Sequence, residues 1–202
     1  MQKEVVPLIE SLKLLNISVA TYAVINSFSA FEKHVNKLSF PIVLKISSPK
    51  IIHKTEQKAV YVAYTKEEAL KTAKEFLKKG QLVVQEYVSG VEFFLGIKKD
   101  ASFGHVLLAG IGGIFVEVYK DISTRVCPIT KKDAEEMLDE LKGKKLLDGF
   151  RGKTVNKKLL VDSMVQLSKL PNKHPEIEEL DVNPFMLGKT NKAVDARIVV
   201  NK

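Results

Sequence analysis

The chain has one cysteine, no tryptophan and only three arginines in 202 residues. A lone thiol, Cys127, closes no internal disulfide, so a packed core must hold the fold and a reducing cytoplasm is the expected compartment. No apolar run approaches the roughly 20 residues that a membrane span requires. The amino-terminal stretch MQKEVVPLIESLKLL carries acids and lacks the apolar centre of an export signal; it reads as a helix. There is no internal repeat and no low-complexity tract. Hydrophobic residues at 45% and charged residues at 28% are ordinary globular values, which excludes a disordered chain and a fibre.

Positive charge is what the chain has in excess, a formal +8. The lysines are spread along the whole length and pair with glutamates, as in TKEEALKTAKEFLKK, and no basic stripe is interleaved with aromatics. That distribution describes a solvated surface, and polyanion binding stands as a rival reading. In so lysine-rich a composition, Arg125, Arg151 and Arg197 mark places where a planar fork for carboxylate or phosphate is useful.

Alternation and apolar periodicity give strands over 19–25, 41–46, 59–64 and 82–88, with a helix over 29–38. A second helix is expected from Thr65 to Lys79. Thr65 and Glu68 form a capping box, Ala69, Leu70, Ala73, Phe76 and Leu77 make the inner face, and Gly80 stops it. After SGVE the pattern changes to a hairpin, EFFLGIKKD with HVLLAGIGG, then extended segments, helices near 131–142 and 156–169, and a closing pair of strands around a turn at 188–192. The fold class expected is α/β, as two α+β lobes: residues 1–88 with a histidine loop at 47–58, and residues 89–202.

Three constellations carry chemistry. A terminal hairpin symmetric about Lys189 sets Asn183 opposite Asp195 and Asp181 opposite Arg197, all on one face. Asn183 and Asp195 then suit one small hard cation completed by phosphate and water, as magnesium prefers. A polar outer face with a surface Asp181–Arg197 pair fits the same spacing, and a one-residue slip would abolish it. In AGIGGIFVE, Gly110, Gly112 and Gly113 permit a backbone nest for phosphate, or simply a tight hairpin; neither a Walker loop nor a GxGxxG turn is present. In SSPKIIHKTE, His53 lies between Lys50 and Lys54 on a loop after a buried strand. By itself that histidine is an ordinary exposed residue; His34 and His105 are packing or surface residues, and His174 lies in a polar loop.

The blocks PIVLKISSPKIIHKTE, VQEYVSGVE, FGHVLLAGIGGIFVEVYKDISTRVCPIT, LLDGFRG and ELDVNPF…AVDARIVV occur in that order. Together they resemble the nucleotide-binding β subunit of ADP-forming acetyl-CoA synthetases, relatives of the succinyl-CoA synthetase β subunit with an ATP-grasp fold. The resemblance spans about residues 8–200. It implies two subdomains with a nucleotide cleft between them, ATP/ADP and Mg2+ as ligands, and a CoA-binding α subunit with a catalytic histidine as partner in an α2β2 assembly.

Residue by residue, the resemblance implies that Lys45 reaches the nucleotide phosphates. It gives backbone groups of Glu86 and Val88 to adenine and the Glu92 carboxylate to ribose. Asn183 and Asp195 match metal ligands, and Asp181 the acid facing the phosphohistidine. The glycine block, Glu117 and Arg125 match the wall around the transferring phosphoryl group. His53 matches the histidine of a loop that helps carry that group from the α subunit to ADP. A neutral imidazole is a good nucleophile near pH 7, and Lys50 and Lys54 screen the incoming charge.

Lys58 and Ala59 stand where many members have two glycines, and Phe185 follows the NP pair where leucine is commoner. The implied reaction is acyl-CoA + ADP + phosphate giving acid + CoA + ATP. Besides the polyanion binder, the rivals are a succinyl-CoA-ligase-like or other carboxylate ligase subunit and a non-catalytic nucleotide-binding regulatory module.

Overall fold

The computed structural model describes residues 3–47, 59–113, 118–149 and 155–201. In chain order the elements are β1 (Lys3–Val6), α1 (Leu8–Leu14), β2 (Tyr22–Ile25), α2 (Phe28–Val35), β3 (Ile42–Ser47), β4 (Val60–Ala63), α3 (Lys66–Phe76), β5 (Gln81–Glu86), β6 (Val91–Asp100), β7 (Gly104–Ile111), β8 (Ile122–Val126), α4 (Lys131–Glu140), α5 (Lys157–Leu167), β9 (Ile177–Leu187), β10 (Lys192–Ala193) and β11 (Arg197–Asn201). They form two compact units, residues 20–87 and residues 1–19 with 88–202. No helix among the described residues is long and apolar enough to cross a membrane.

The smaller unit is a four-stranded antiparallel sheet in the order β2-β5-β3-β4. Ile42, Leu44, Ile46, Leu82 and Val84 project from one face into a core shared with Phe31 and Val35 of α2 and Ala69, Ala73 and Phe76 of α3. The helix α3 begins where the capping box predicts: the Thr65 hydroxyl accepts from the Glu68 amide, and the Glu68 carboxylate accepts from the Thr65 amide. It ends at Phe76, before the expected Lys79, because the chain tightens into a turn in which the Lys78 amide reaches the Glu75 carbonyl and the Lys79 amide the Phe76 carbonyl.

The larger unit is an antiparallel sheet in the order β1-β11-β9-β6-β7-β8, with β10 added to β9. Phe93, Leu95, Ile97, Leu107, Ala109, Leu180, Val182 and Ile198 are buried, as are Met137 of α4 and Leu160 and Met164 of α5. The hairpin of β6 and β7 turns through Asp100, whose carboxylate accepts from the Ser102 and Phe103 amides, and Gly104 at φ +73 closes it.

Two expectations are corrected. The first 19 residues do not join the lobe that follows them, because β1 pairs along β11 with Lys3 opposite Asn201 and Val6 opposite Ile198. Residues 3–6 are accordingly a strand, and Pro7 separates it from the seven-residue helix α1. The strand expected over 19–25 is confined to Tyr22–Ile25, and Val19 instead bridges Ala193 in the larger unit.

Candidate functional site

The register of β9 and β11 positions the first group. Asp181 lies opposite Arg197, while Met186 and Phe185 lie opposite Lys192 and Ala193, so the hairpin keeps its symmetry about Lys189 on both sides of the gap that contains Asn183 and Asp195. Within that gap the Val194 amide donates to the Pro184 carbonyl at 3.3 Å, in the same register. Pro184 has no amide to donate, which explains why ladder pairing lapses there. Leu180 and Val182 are buried, so alternation turns Glu179, Asp181 and Asn183 to the opposite face. Asn183 is exposed, and Asp195 Oδ1 accepts from the Ala196 amide at 2.9 Å.

Beyond Asp181 the same row continues through Gly96 of β6, Leu108 of β7 and Thr124 of β8. Gly96 is required there: a Cβ would lie 2.7 Å from the Phe94 ring, which folds over it. Desolvation raises the Asp181 carboxyl above its usual range, Arg197 pulls the other way, and Glu179 reinforces the rise. Arg197 Nη1 stands 3.8 Å from Asp181 and 3.9 Å from Glu179.

Arg125 lies opposite Leu107, whose row runs through Ile97 to Leu180 on the buried face. Its guanidinium is gripped by both carboxylate oxygens of Glu140 from α4, with Glu136 at 3.9 Å, and these acids hold its pKa up. Strand alternation therefore removes it from the Asp181 face.

The glycine block meets Glu92. The Gly112 amide donates to the Glu92 carbonyl at 2.8 Å, and a Cβ at Gly112 would lie 2.9 Å from that carbonyl carbon. Gly113, at φ +63, has the Glu92 carboxylate 3.3 Å from where a Cβ would stand. Gly110 has another reason to be glycine: it is a ladder residue of β7, and a Cβ would sit 2.4 Å from the Asp121 carbonyl oxygen. Val88 is half-buried in the chain entering the larger unit.

In the smaller unit Lys45 pairs with Val83, and Val43 with Gln85. Leu44 and Val84 enter the helix-covered core, so Lys45 and Gln85 project from the other face. Both are buried, at 4% and 2% exposure, and neither amide atom of Gln85 has a hydrogen-bond partner among the described residues. Sequence reasoning missed Gln85; its only trace is a polar residue inside an apolar strand run. The Glu86 amide donates to the Thr21 carbonyl at 2.9 Å, and its carboxylate accepts from the Thr21 amide.

His53, Glu117 and Arg151, with Lys50, Lys54 and Lys58, lie outside the described residues. The groove of about 570 Å³ between α4 and α5 is lined by Lys131, Glu135, Asp139 and Asp162 and gathers none of the predicted site residues. Among the described residues no three His, Cys, Asp or Glu side chains cluster as a metal site. One carboxylate and one amide oxygen, as Asp195 and Asn183 offer, is the sparse hard-oxygen set that magnesium accepts when phosphate and water complete its shell.

Comparison with known proteins gives a consistent picture. The ATP-grasp domain family matches residues 7–200. The β subunit of an ADP-forming acetate–CoA ligase I from Pyrococcus furiosus is 36% identical over 95% of this chain and 88% of its own length. A structure of the acetyl-coenzyme A synthetase 1 of Ca. Korarchaeum cryptofilum, in complex with coenzyme A and Ca-AMPCP, superposes with a TM-score of 0.90 at 32% identity, covering 98% of this chain and 94% of that one. A second structure of that synthetase, with coenzyme A and Mg-AMPPCP and its phosphohistidine segment pointing towards the nucleotide site, gives 0.80 at 33% identity over 94% and 88% of the two chains. Other relatives are longer; this chain spans 26% of an ADP-forming 4-hydroxybutyrate–CoA ligase from Nitrosopumilus maritimus, at 38% identity over 82% of its own length. The chain belongs to the ATP-grasp family, among the β subunits of ADP-forming acetate–CoA ligases.

Proposed function

We propose that this chain is the nucleotide-binding β subunit of a heteromeric ADP-forming acyl-CoA synthetase of the acetate–CoA ligase type. With a CoA-binding α subunit that bears a catalytic histidine, in an α2β2 assembly, it catalyses acyl-CoA + ADP + phosphate giving acid + CoA + ATP. That the similar Pyrococcus furiosus proteins are named β subunits supports a partner subunit.

Phosphoryl transfer asks a protein mainly for positioning and charge stabilisation. The Lys45 ammonium binds nucleotide phosphates, backbone groups at Glu86 and Val88 orient the base, and the Glu92 carboxylate accepts from ribose hydroxyls. The Gly113 amide lines the phosphate approach beside Glu117, and Gly112, with its own amide on the Glu92 carbonyl, sets the turn that presents it. Asn183 and Asp195 hold magnesium, which when bound neutralises charge on the phosphates. Asp181 orients the phosphohistidine ring, and His53 helps carry the phosphoryl group towards ADP in a cytoplasmic enzyme.

The observation that carries this reading is the shared register of the two pairings of β9, Asp181 with Arg197 and Phe185 with Ala193, which frames Asn183 and Asp195. Its test is reconstitution with the α subunit, measuring ATP formation from acetyl-CoA, ADP and phosphate for the wild type and His53→Ala. The variant is expected to lose nearly all activity while MgADP still raises its melting temperature. Full activity would remove His53 from the mechanism, and absence of MgADP stabilisation in the wild type would remove the nucleotide role.

A further inference from the structure

Two arginines on the same sheet are held in opposite ways. Arg125 is fully committed, with both terminal nitrogens on Glu140. Arg197 faces two carboxylates, yet its approaches of 3.8 Å and 3.9 Å are too long for hydrogen bonds. Its Nε is buried without a partner, and the guanidinium makes no hydrogen bond to any described residue. A guanidinium has five donors; the buried Nε–H is costly to leave without a partner, and the terminal nitrogens of a side chain that is 42% exposed stay open to a ligand.

The position narrows what that something is. Arg197 follows Asp195 by two residues, so their Cα atoms are at most about 7 Å apart. A group bound at Asn183 and Asp195 is therefore within a guanidinium's reach. Glu179 and Asp181 hold the fork in place by charge without occupying its donors. In a chain that otherwise uses lysine for positive charge, a planar donor fork fits an oxyanion with several equivalent oxygens.

We propose that Arg197 binds the phosphoryl group in transit, a role that rests on the phosphoryl-transfer reading above and adds a residue to it. In the ATP-forming direction the P–N bond of the phosphohistidine breaks as a P–O bond to the β-phosphate of ADP forms. The ring nitrogen keeps the bonding pair and takes up a proton. Arg197 donates to the equatorial oxygens of the moving group, where charge accumulates.

The test uses the whole chain and measures MgADP binding by calorimetry, then the binding of beryllium fluoride, a stand-in for the moving phosphoryl group, to the MgADP complex. Wild type, Arg197→Ala and Arg197→Lys are compared. Arg197→Ala is expected to keep MgADP affinity within about twofold and to weaken beryllium fluoride about ten- to a hundredfold, the loss of a charge-assisted hydrogen bond. Arg197→Lys is expected to recover only part of that loss. Unchanged beryllium fluoride binding in Arg197→Ala, a parallel fall in MgADP affinity, or full recovery by lysine would each overturn the proposal. So would a wild type that binds MgADP but no beryllium fluoride, which leaves the nucleotide role standing. A wild type that binds no MgADP overturns the function and this inference together.

Discussion

Cys127 shows how a residue's surroundings reset its chemistry. Burial pushes its thiol from 9.0 up to about 12, with no nearby charge offsetting the loss of solvent. At pH 8 the thiolate fraction falls about a thousandfold below that of an unfolded chain, since each pKa unit is a factor of ten. Iodoacetamide labelling followed by mass spectrometry should therefore find Cys127 nearly inert in the native protein and readily alkylated in urea. The linkage has one sign: the native state keeps the proton, so its stability contribution is complete below pH 9 and is lost as pH rises towards 12. Native and unfolded protein labelling at equal rates would show the thiol to be solvated. Site residues divide in the same way between what sequence can and cannot show. Alternation was enough to put Asp181 across from Arg197, because both lie on one hairpin. The pairing of Arg125 with Glu140 was not legible, because Glu140 sits on a later helix and no local pattern states which face of β8 that helix covers.

At the scale of elements, strong local grammar was read correctly. Thr65 and Glu68 announce α3 three residues apart, and both reciprocal hydrogen bonds form. Thr130 and Asp133 do the same for α4. An N-cap hydroxyl is worth about 1 kcal/mol, so Thr65→Ala should lower unfolding free energy by about that amount, whereas Thr65→Ser should be nearly neutral. Urea denaturation followed by circular dichroism measures both. An alanine variant as stable as the wild type would mean that tertiary packing of Phe76 and Ala73, not the cap, fixes the start of the helix. Short strands had no such grammar. Lys3–Val6 begins with two charged residues and is mostly exposed, so its sequence looks no more like a strand than like a helix end.

At the scale of the molecule, the illegible feature was pairing at long range. Lys3 lies opposite Asn201, a contact that nothing near either residue encodes. It draws residues 1–19 into the larger unit and makes the smaller unit, 20–87, an insertion between two segments of the larger one. The insertion's ends are tied together: the Glu86 amide and carboxylate both engage Thr21, so the chain enters and leaves at neighbouring points. Replacing residues 20–87 with three glycines should therefore leave the larger unit able to close its sheet, with Val19 still bridging Ala193 and β1 still on β11. Loop-closure cost rises only slowly with length, so the short linker imposes little strain if those ends are close. The shortened chain should unfold in one cooperative thermal transition and keep strand-dominated circular dichroism. It should lose MgADP stabilisation, because Lys45 and the backbone at Glu86 are gone. A broad, non-cooperative melt would instead mean that the larger unit needs the insertion to fold, and retained MgADP stabilisation would place the nucleotide on residues of the larger unit alone.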